Sequence, residues 1–255
     1  MIRHRAYAKV NIFLKITGKR GNYHTITSRF MRVNNLFDTL WLEPKSTPEF
    51  EIRGNFDCDI ASNTIYKAYK YLLSYTHSRA LSTLMEEYAV CVDKQIPSFA
   101  GLGGGSSDAA TFLKICNERL HLTLSVEELA EIGANVGADV PFFLYGYESA
   151  NVSGIGEIVE PFNEPLMNFE ITTPPLQIST PAVYSYYRNH LYAPIASEEV
   201  CNLEATLSRD ILASMHPKEA NDLYPAALGC YKELSAKEGW FFSGSGSSFF
   251  KIKEH

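Results

Sequence analysis

The strongest constraint in this sequence is a glycine-rich segment at residues 97–110, which reads PSFAGLGGGSSDAA and has four glycines within positions 101–105. Such a run weakens regular secondary structure, because glycine loses much conformational freedom on folding. It also permits positive φ angles and lets backbone N–H groups approach a bulky group closely. A helix is predicted over residues 107–117, and a helix N-terminus carries unpaired amides and about half a positive charge. The segment therefore predicts an anion site, best matched to a polyphosphate.

Known nucleotide-binding signatures do not fit this segment. No lysine follows the glycines, which excludes the G-x-x-x-x-G-K-[ST] loop, and the spacing after Gly103 and Gly105 does not fit G-x-G-x-x-G. The protein-kinase signatures H-R-D and D-F-G are absent from the sequence. A flexible hairpin loop is the alternative interpretation. Asp108 is expected to repel phosphates unless it turns aside toward the helix dipole or helps to hold Mg²⁺, and the sequence leaves both open.

Composition restricts the class of protein. The 255 residues suffice for one large α/β domain or two moderate ones, and the formal net charge of -6 argues against a nucleic-acid scaffold. No run of about 20 apolar residues predicts a membrane span, and the N-terminal residues show no signal peptide. The scattered cysteines form no C-x-x-C pair, which indicates reduced thiols in a cytoplasmic protein. They are Cys58, Cys91, Cys116, Cys201 and Cys230.

Hydrophobic periodicity predicts a two-lobed α+β protein, because strands cluster instead of alternating strictly with helices. Strands are predicted at residues 6–16, 87–92, 152–159 and 169–172, as a strand pair within 30–42 around Asn34 and Asn35, and as a hairpin of 240–243 with 249–252. Helices are predicted after Asn63 and at residues 107–117, 126–136, 181–189 and 225–237. A boundary near residue 150 would divide the chain into domains 1–150 and 151–255.

Three motifs resemble those of the GHMP kinase superfamily, named for galacto-, homoserine, mevalonate and phosphomevalonate kinases. They are the strand at residues 8–14, the glycine-rich segment 97–107 and a late turn at 243–248. Two further segments, 21–24 and 137–143, are similar to those of superfamily members that act on a CDP-linked methylerythritol. Asn22 stands where those members often carry Asp, and only a turn effect is expected from it.

The resemblance implies a fold, an activity and partners. The N-terminal half is expected to be similar to the second domain of ribosomal protein S5, and the C-terminal half to be ferredoxin-like. The implied reaction transfers the γ-phosphate of ATP to the 2-hydroxyl of 4-diphosphocytidyl-2-C-methyl-D-erythritol, a middle step of the non-mevalonate route to isoprenoid precursors. The implied partners are ATP and this CDP-linked methylerythritol, with no nucleic acid and no membrane; the oligomeric state is left open.

Two residues are predicted to act in catalysis. Asp139 lies between two small residues and the apolar run 140–143, which is interpreted as a strand, and it is the preferred general base for the acceptor hydroxyl. Lys9 lies in an apolar strand, where an ammonium group is costly without a partner. The resemblance implies that Lys9 contacts both Asp139 and the hydroxyl. Read from the residues alone, an ordinary surface lysine and a helix-terminal aspartate remain alternatives.

The binding residues follow from the same resemblance. Tyr23 and His24 are expected to stack on a base and bond its edge, with Tyr184 closing the other side of the cytosine. Asn11 is assigned to the erythritol or phosphate end of the acceptor. Asn63 is assigned to adenine. The residues assigned to ATP in the glycine-rich segment are Pro97, Ser98, Phe99, Ala100, Gly101, Leu102, Gly103, Gly104, Gly105, Ser106 and Ser107.

Other features are assigned lesser roles. The glycines of the late turn, Gly244 and Gly246, are expected to shape the site from behind. The dipeptide Asn221-Asp222 is interpreted as a helix cap. No metal-ligand pair of histidines occurs, so Mg²⁺ is expected to arrive with ATP, mostly ligated by phosphate and water. Two alternatives stay open: a kinase for another small alcohol such as homoserine or a mevalonate derivative, and a nucleotide- or RNA-binding module without catalysis.

Overall fold

Two long strands open the chain, and they pair with each other. They are β1 (His4–Arg20) and β2 (Tyr23–Pro44) in the computed structural model, which describes residues 2–21, 23–193 and 195–253. The strand predicted at residues 6–16 is confirmed within β1. Every residue from 8 to 14 is buried, as expected of a strand covered on both faces.

The strand pair predicted around Asn34 and Asn35 is wrong, because β2 continues through both residues without a turn. Both asparagines are exposed, which interrupts the alternation of buried and exposed side chains and imitates a turn. The strand continues because each half has its own partner strand. Residues 28–31 pair with one strand and residues 39–44 with another.

The remaining elements alternate irregularly along the chain. The strands are β3 (Ile52–Arg53), β4 (Tyr88–Asp93), β5 (Ser149–Ser153), β6 (Ile158–Pro161), β7 (Phe169–Thr172), β8 (Phe241–Phe242) and β9 (Phe249–Ile252). The helices are α1 (Thr64–Thr76), α2 (Arg79–Glu87), α3 (Gly104–Arg119), α4 (Val126–Val136), α5 (Val140–Tyr145), α6 (Thr180–His190), α7 (Ser197–Ala205), α8 (Ser208–Ser214), α9 (Pro217–Ala220) and α10 (Leu223–Cys230).

These elements form two compact units that are interleaved along the chain. The first comprises the described parts of residues 1–8, 35–98 and 104–146, and the second those of residues 9–34, 99–103 and 147–255. The chain therefore passes from one unit to the other within β1, within β2, on both sides of residues 99–103 and between residues 146 and 147. A single division at residue 150 stays a prediction about domains, since these units follow contacts and not sequence order.

In the first unit, β4 pairs antiparallel with residues 39–44 of β2 and parallel with β3. A core of aliphatic and aromatic side chains includes Leu40, Leu72, Phe112 and Val140, each fully buried. Burying one such side chain contributes about 1.5–3 kcal/mol. The packing of α1, α3, α4 and α5 thereby sets where the N-terminus of α3 lies.

In the second unit, residues 28–31 of β2 pair with β5, and β5 pairs with β6. A separate sheet has the order β7-β9-β8. The core of this unit is aromatic, since Tyr224 stacks on Phe242 with ring centroids 4.8 Å apart and meets Phe249 edge to face. Leu14 of β1 bridges to Asn221, which connects β1 to the segment before α10.

Local chemistry explains where several predicted helices begin. The prediction of α4 is confirmed to the residue, because Ser125 and Glu128 form a capping box at its N-terminus. Asn63 caps α1, its Oδ1 accepting from the Ile65 amide at 2.9 Å. The late hairpin is also confirmed, since β8 and β9 pair antiparallel.

Two other predicted elements are wrong in part. The helix predicted over 225–237 ends at Cys230, and the chain then turns back so that the Lys237 amide donates to the Tyr224 hydroxyl at 3.4 Å. The interpretation of residues 140–143 as a strand is wrong, because they form the first turn of α5, which has a proline at an early helical position. No helix in the described residues has the length and apolarity that crossing a membrane requires.

Candidate functional site

The glycine-rich turn, which comprises residues 97–103, is held in place through its own backbone carbonyl groups. Carbonyl oxygens of three consecutive residues accept hydrogen bonds from three different segments of the second unit. The pairs are Ser248 N to Ala100 O at 3.1 Å, Ser243 Oγ to Gly101 O at 2.9 Å and Lys9 N to Leu102 O at 3.0 Å. The carbonyl oxygens on this side of the turn are therefore all hydrogen-bonded within the protein, and the backbone cannot move there without breaking those bonds.

Glycine is required at position 101 for two separate reasons. Its φ angle is +73°, a left-handed conformation that costs other residues about 1–2 kcal/mol. A Cβ there would also lie 2.0 Å from the Ser243 carbonyl oxygen, far inside contact distance. Gly103 also has φ of +73°, and Phe99 adopts φ of +53° with 52% of its surface exposed. A bulky residue in that conformation is uncommon and clusters at functional sites.

The second half of the glycine run is helical, which corrects the predicted helix start at Ser107. Helix α3 begins at Gly104, so Gly104 and Gly105 are helical residues and not part of an open turn. They are glycines because neighbours are close: a Cβ at Gly104 would lie 2.9 Å from Ile96 Cγ2. Thr64 Oγ1 donates to the Gly105 carbonyl at 2.6 Å. The first amides of α3 have no partner within the helix, so they can bind an anion.

Lys9 and Asn11 form one buried pair on β1. Their exposed fractions are 3% and 2%, and Lys9 Nζ donates to Asn11 Oδ1 at 2.6 Å. Asn11 Nδ2 donates in turn to Ser28 Oγ at 2.9 Å, while Lys9 Nζ lies 4.4 Å from the Phe30 ring centre. These contacts orient the ammonium group. Asn11 thus holds Lys9 in place, and its predicted contact with the acceptor substrate stays a separate prediction.

Asp139 lies at the N-cap position of α5 in the first unit and is partly buried. Its side chain makes no capping hydrogen bond, because its backbone is already helical at φ of -80° and ψ of -12°. A Cβ at Gly137 would lie 3.7 Å from Ser106 Oγ, so the loop before Asp139 lies beside the first turn of α3.

His24 and Tyr184, two of the predicted substrate residues, are in contact. Their rings stack with centroids 5.3 Å apart at 25°, and Tyr187 meets His24 edge to face. The His24 Nε2 atom is buried and has no hydrogen-bond partner in the described part of the chain. Burial lowers the pKa of His24, assisted by the charges of Lys19 and Arg188, so the ring is neutral at pH 7. Its Nε2 atom therefore has a hydrogen-bonding capacity that the described residues do not use.

Tyr23, predicted to bind the acceptor, and Asn63, predicted to bind adenine, differ in exposure. Tyr23, at the start of β2, is 65% exposed, which suits a side chain that stacks on a ligand. Asn22 lies outside the described residues. Asn63 is 5% exposed and its Oδ1 caps α1, so the structure accounts for it as a helix cap whether or not it also contacts adenine.

The late turn is built into the same network as the glycine-rich turn. Asn221 Nδ2 donates to the carbonyls of Phe242 at 2.9 Å and Gly244 at 2.8 Å, and it is 1% exposed. A Cβ at Gly244 would lie 3.3 Å from the Gly101 oxygen, so this turn packs against the glycine-rich turn. Asn221 Oδ1 also accepts from the Leu223 amide near the start of α10, which agrees with its interpretation as a cap.

One group of residues beside the glycine-rich turn is not predicted from the sequence. Lys94 lies between Asp38 and Asp108, and all three belong to the first unit. Asp108 is thus turned aside toward a lysine, a partner that its sequence neighbours do not indicate. The signal available in the sequence was a lysine three residues before Pro97, yet nothing in the sequence pairs it with Asp38. Within the described ranges, no group of three or more His, Cys, Asp or Glu side chains could hold a metal ion.

Comparison with known proteins decides the family. A family model described as "GHMP kinases N terminal domain" matches residues 63–147. A protein from Sulfurimonas denitrificans named 4-diphosphocytidyl-2-C-methyl-D-erythritol kinase is 60% identical over 257 residues, covering 98% of this chain and 97% of that protein. The chain belongs to the 4-diphosphocytidyl-2-C-methyl-D-erythritol kinase family.

Solved structures agree with membership of this kinase family. A crystal structure of 4-(cytidine 5'-diphospho)-2C-methyl-D-erythritol kinase matches with a TM-score of 0.76 and 28% identity, covering 99% of this chain and 90% of the other. The mevalonate kinase of Methanococcus jannaschii matches with a TM-score of 0.61 at 13% identity, covering 99% and 90%. The second likeness shows only a shared fold, so the predicted GHMP kinase fold is confirmed.

The first prediction concerns the fit of Gly101 in this kinase. We expect Gly101→Ala to lower the free energy of unfolding by about 2–5 kcal/mol, since the left-handed penalty and the overlap with Ser243 add together. The matched control is Gly239→Ala, because Gly239 has φ of +71° with no atom within 4 Å of the added Cβ. That control should lose only about 1–2 kcal/mol in urea unfolding. Equal losses in the two variants would contradict the close contact.

The second prediction concerns His24. A histidine whose pKa is lower in the folded state than its ordinary 6.5 makes the protein lose stability as pH falls below about 6.5, because the unfolded state binds the proton more readily. His24→Phe keeps a ring against Tyr184 and removes this loss. Relative to the unmodified protein, the variant should therefore gain stability between pH 7.5 and pH 5.5 in urea unfolding.

The matched control for His24 is His190→Phe. His190 also stacks on a tyrosine, Tyr186, with ring centroids 4.3 Å apart, but it is exposed. The measurement compares the change in pH dependence that each replacement produces, and we expect the larger change in His24→Phe because, of the two histidines, only His24 is buried. A pH dependence of His24→Phe that matches that of the unmodified protein would contradict the assignment.

Proposed function

We propose that this protein is a kinase that transfers the γ-phosphate of ATP to the 2-hydroxyl of 4-diphosphocytidyl-2-C-methyl-D-erythritol, giving the 2-phosphate and ADP. The observation that carries the proposal is 60% identity over 98% of the chain to a relative named for this substrate. This reaction belongs to the non-mevalonate route to isoprenoid precursors. The crystal structure that matches with a TM-score of 0.76 is that of a kinase named for the same substrate.

In this proposal, ATP binds the glycine-rich turn with its phosphates directed at the amides of the turn and of the first turn of α3. The physical support is that three carbonyl oxygens of the turn are hydrogen-bonded within the protein. The N-terminus of α3, which carries the positive end of the helix dipole, can then face the phosphates. Asn63 is proposed to contact adenine. Mg²⁺ is proposed to enter as part of the substrate, MgATP, carried by phosphate oxygens and water.

The acceptor hydroxyl is proposed to react with the help of Lys9 and Asp139. Asp139 would take the hydroxyl proton as the oxygen attacks phosphorus, and Lys9 would orient that oxygen and offset charge on the transferred group. The support for Lys9 is its burial and its fixed hydrogen bond to Asn11. Lysine ammonium groups are rarely buried unless they interact with a partner, because removing the charge from water is costly.

The cytidine of the acceptor is proposed to bind beside His24. A neutral imidazole with a buried, unsatisfied nitrogen can hydrogen-bond a base edge, and the exposed ring of Tyr23 can stack on its face. Such stacking contributes about 1–3 kcal/mol per base. Tyr184 is proposed to close the other side of the cytosine; the support is its ring contact with His24, the residue proposed to bond the base edge.

A reducing compartment such as the cytoplasm is proposed as the site of action. All five cysteines are free thiols in the structure, and Cys91 and Cys116 are buried. Disulfides persist in oxidising compartments, so a protein with five unpaired cysteines suits a reducing one. Burial raises the pKa of the Cys91 thiol to about 11, which keeps it protonated and unreactive.

The third prediction tests the acceptor. In a coupled ADP-release assay with MgATP, we expect turnover with 4-diphosphocytidyl-2-C-methyl-D-erythritol. Homoserine and mevalonate should give at most background release, because neither carries a base for Tyr23 and His24. Turnover with homoserine or mevalonate alone would contradict the proposed substrate. Nucleic-acid binding without any ADP release would contradict the assignment as a kinase.

The fourth prediction tests the general base. Asp139→Asn should lower kcat by about 10²–10⁴-fold with little change in either KM, because an amide cannot accept the hydroxyl proton. Its folding should be preserved, since the two side chains have nearly the same size and Asp139 makes no capping hydrogen bond that the change could remove. The control is Asp57→Asn, an exposed carboxylate for which no loss of kcat is expected. A near-normal kcat for Asp139→Asn would show that another group takes the proton.

A further inference from the structure

Lys94 joins two buried carboxylates beside the glycine-rich turn. Its Nζ donates to Asp38 Oδ2 and, at 2.7 Å, to Asp108 Oδ2. The side chains of Asp38 and Asp108 are 0% and 2% exposed, and that of Lys94 is 11% exposed. Taking such charges out of water is costly, and only close pairing offsets that cost. The three side chains are therefore held in one arrangement.

Asp38 fixes the chain where it enters the turn. Its Oδ1 accepts hydrogen bonds from the backbone amides of Gln95 at 2.6 Å and Ile96 at 2.8 Å. These two amides immediately precede Pro97, the first residue of the turn. Hydrogen bonds from amides to an ionised carboxylate are about twice as strong as neutral ones, so this end of the turn is tightly bound to β2.

Asp108 and Gly104 fix the chain where it leaves the turn. Asp108 lies in the second turn of α3, and its bond to Lys94 ties that helix to the same cluster. A Cβ at Gly104 would lie 2.9 Å from Ile96 Cγ2 and 3.5 Å from Lys94 Nζ. Gly104, the first residue of α3, therefore packs directly against Ile96 and the Lys94 ammonium group, which lie just before the turn begins.

We infer that Lys94 is a positioning residue for the glycine-rich turn, joining its two ends through Asp38 and Asp108 instead of binding the nucleotide. The inference rests on the proposed function, in which this turn holds the triphosphate of MgATP. A turn whose ends are fixed presents its amides in one arrangement. Binding then does not have to order the loop, which would otherwise weaken affinity.

The charge balance of the cluster makes Lys94 its weak point. Two carboxylates share one ammonium group, and Asp108 Oδ1 is buried with no hydrogen-bond partner among the described residues. Burial raises the pKa of the Asp108 carboxyl, although Lys94 opposes that shift. Without the ammonium group, Asp38 and Asp108 would have no cation between them, and the link that Lys94 makes between the two ends of the turn would be lost.

The test measures MgATP binding to the full chain by isothermal titration calorimetry. We expect Lys94→Met to raise the Kd for MgATP about tenfold or more, because several amides lose their alignment. Lys94→Gln should give a smaller increase, since its amide group can still donate to both carboxylates. In turnover assays, the KM for MgATP should rise in both variants while the KM for the acceptor stays unchanged.

Arg29→Met is the matched control for loss of a buried cation. Arg29 lies in the second unit, is 0% exposed and pairs with Glu164 Oε1 at 3.3 Å, with Phe162 stacked on its guanidinium. Breaking such a pair is strongly destabilising. We expect this variant to lose stability in urea unfolding while its Kd for MgATP stays within about twofold of the original.

Two outcomes would overturn the inference. One is an unchanged Kd in folded Lys94→Met, or in Lys94→Gln if the methionine variant does not fold. The other is an equal loss of MgATP affinity in Arg29→Met, which would indicate general destabilisation. If the unmodified protein does not bind MgATP at all, the proposed function itself fails. If it binds MgATP with no dependence on Lys94, only the positioning role fails.

Discussion

The hydrogen bonding of three carbonyl oxygens in the glycine-rich turn is the constraint on which the candidate site depends. Because the oxygens of residues 100–102 accept hydrogen bonds within the second unit, to which these residues belong, the backbone there follows one path. Glycine at 101 is a consequence of that path, since the Ser243 carbonyl occupies the space of a side chain. The late turn is itself held by Asn221, so one buried side-chain amide supports the packing of the late turn against the glycine-rich turn.

Buried cations in this protein are stabilised in different ways, and the difference agrees with the roles proposed for them. Lys94 lies between two carboxylates, which suits a residue that holds backbone segments in place. Arg29 pairs with Glu164 and stacks on Phe162, and it also donates to the Glu204 carbonyl at 2.9 Å near the end of α7. Lys9 donates to a neutral amide and lies against a ring face. These two contacts fix the direction of the Lys9 ammonium group.

Elements with strong local signals could be predicted from the sequence, and elements defined by distant partners could not. Helix α4 begins at a capping box, so its start is determined within four residues of chain. For β2, the sequence predicts a turn at Asn34, because two exposed asparagines imitate one. The continuation of this strand depends on β4 and β5, which lie far away in sequence. The end of α10 likewise depends on a contact between Lys237 and Tyr224.

For the site, local sequence was enough to predict an anion-binding glycine run, to show a family resemblance and to suggest residue types suited to phosphoryl transfer. It could do so because glycine spacing and helix starts are local properties. The folded arrangement was needed to show that α3 begins at Gly104, that His24 stacks on Tyr184 and that Asp108 faces Lys94. These facts depend on which side chains packing brings together, and pairs such as Asp38 and Lys94, 56 residues apart, leave no mark in local sequence.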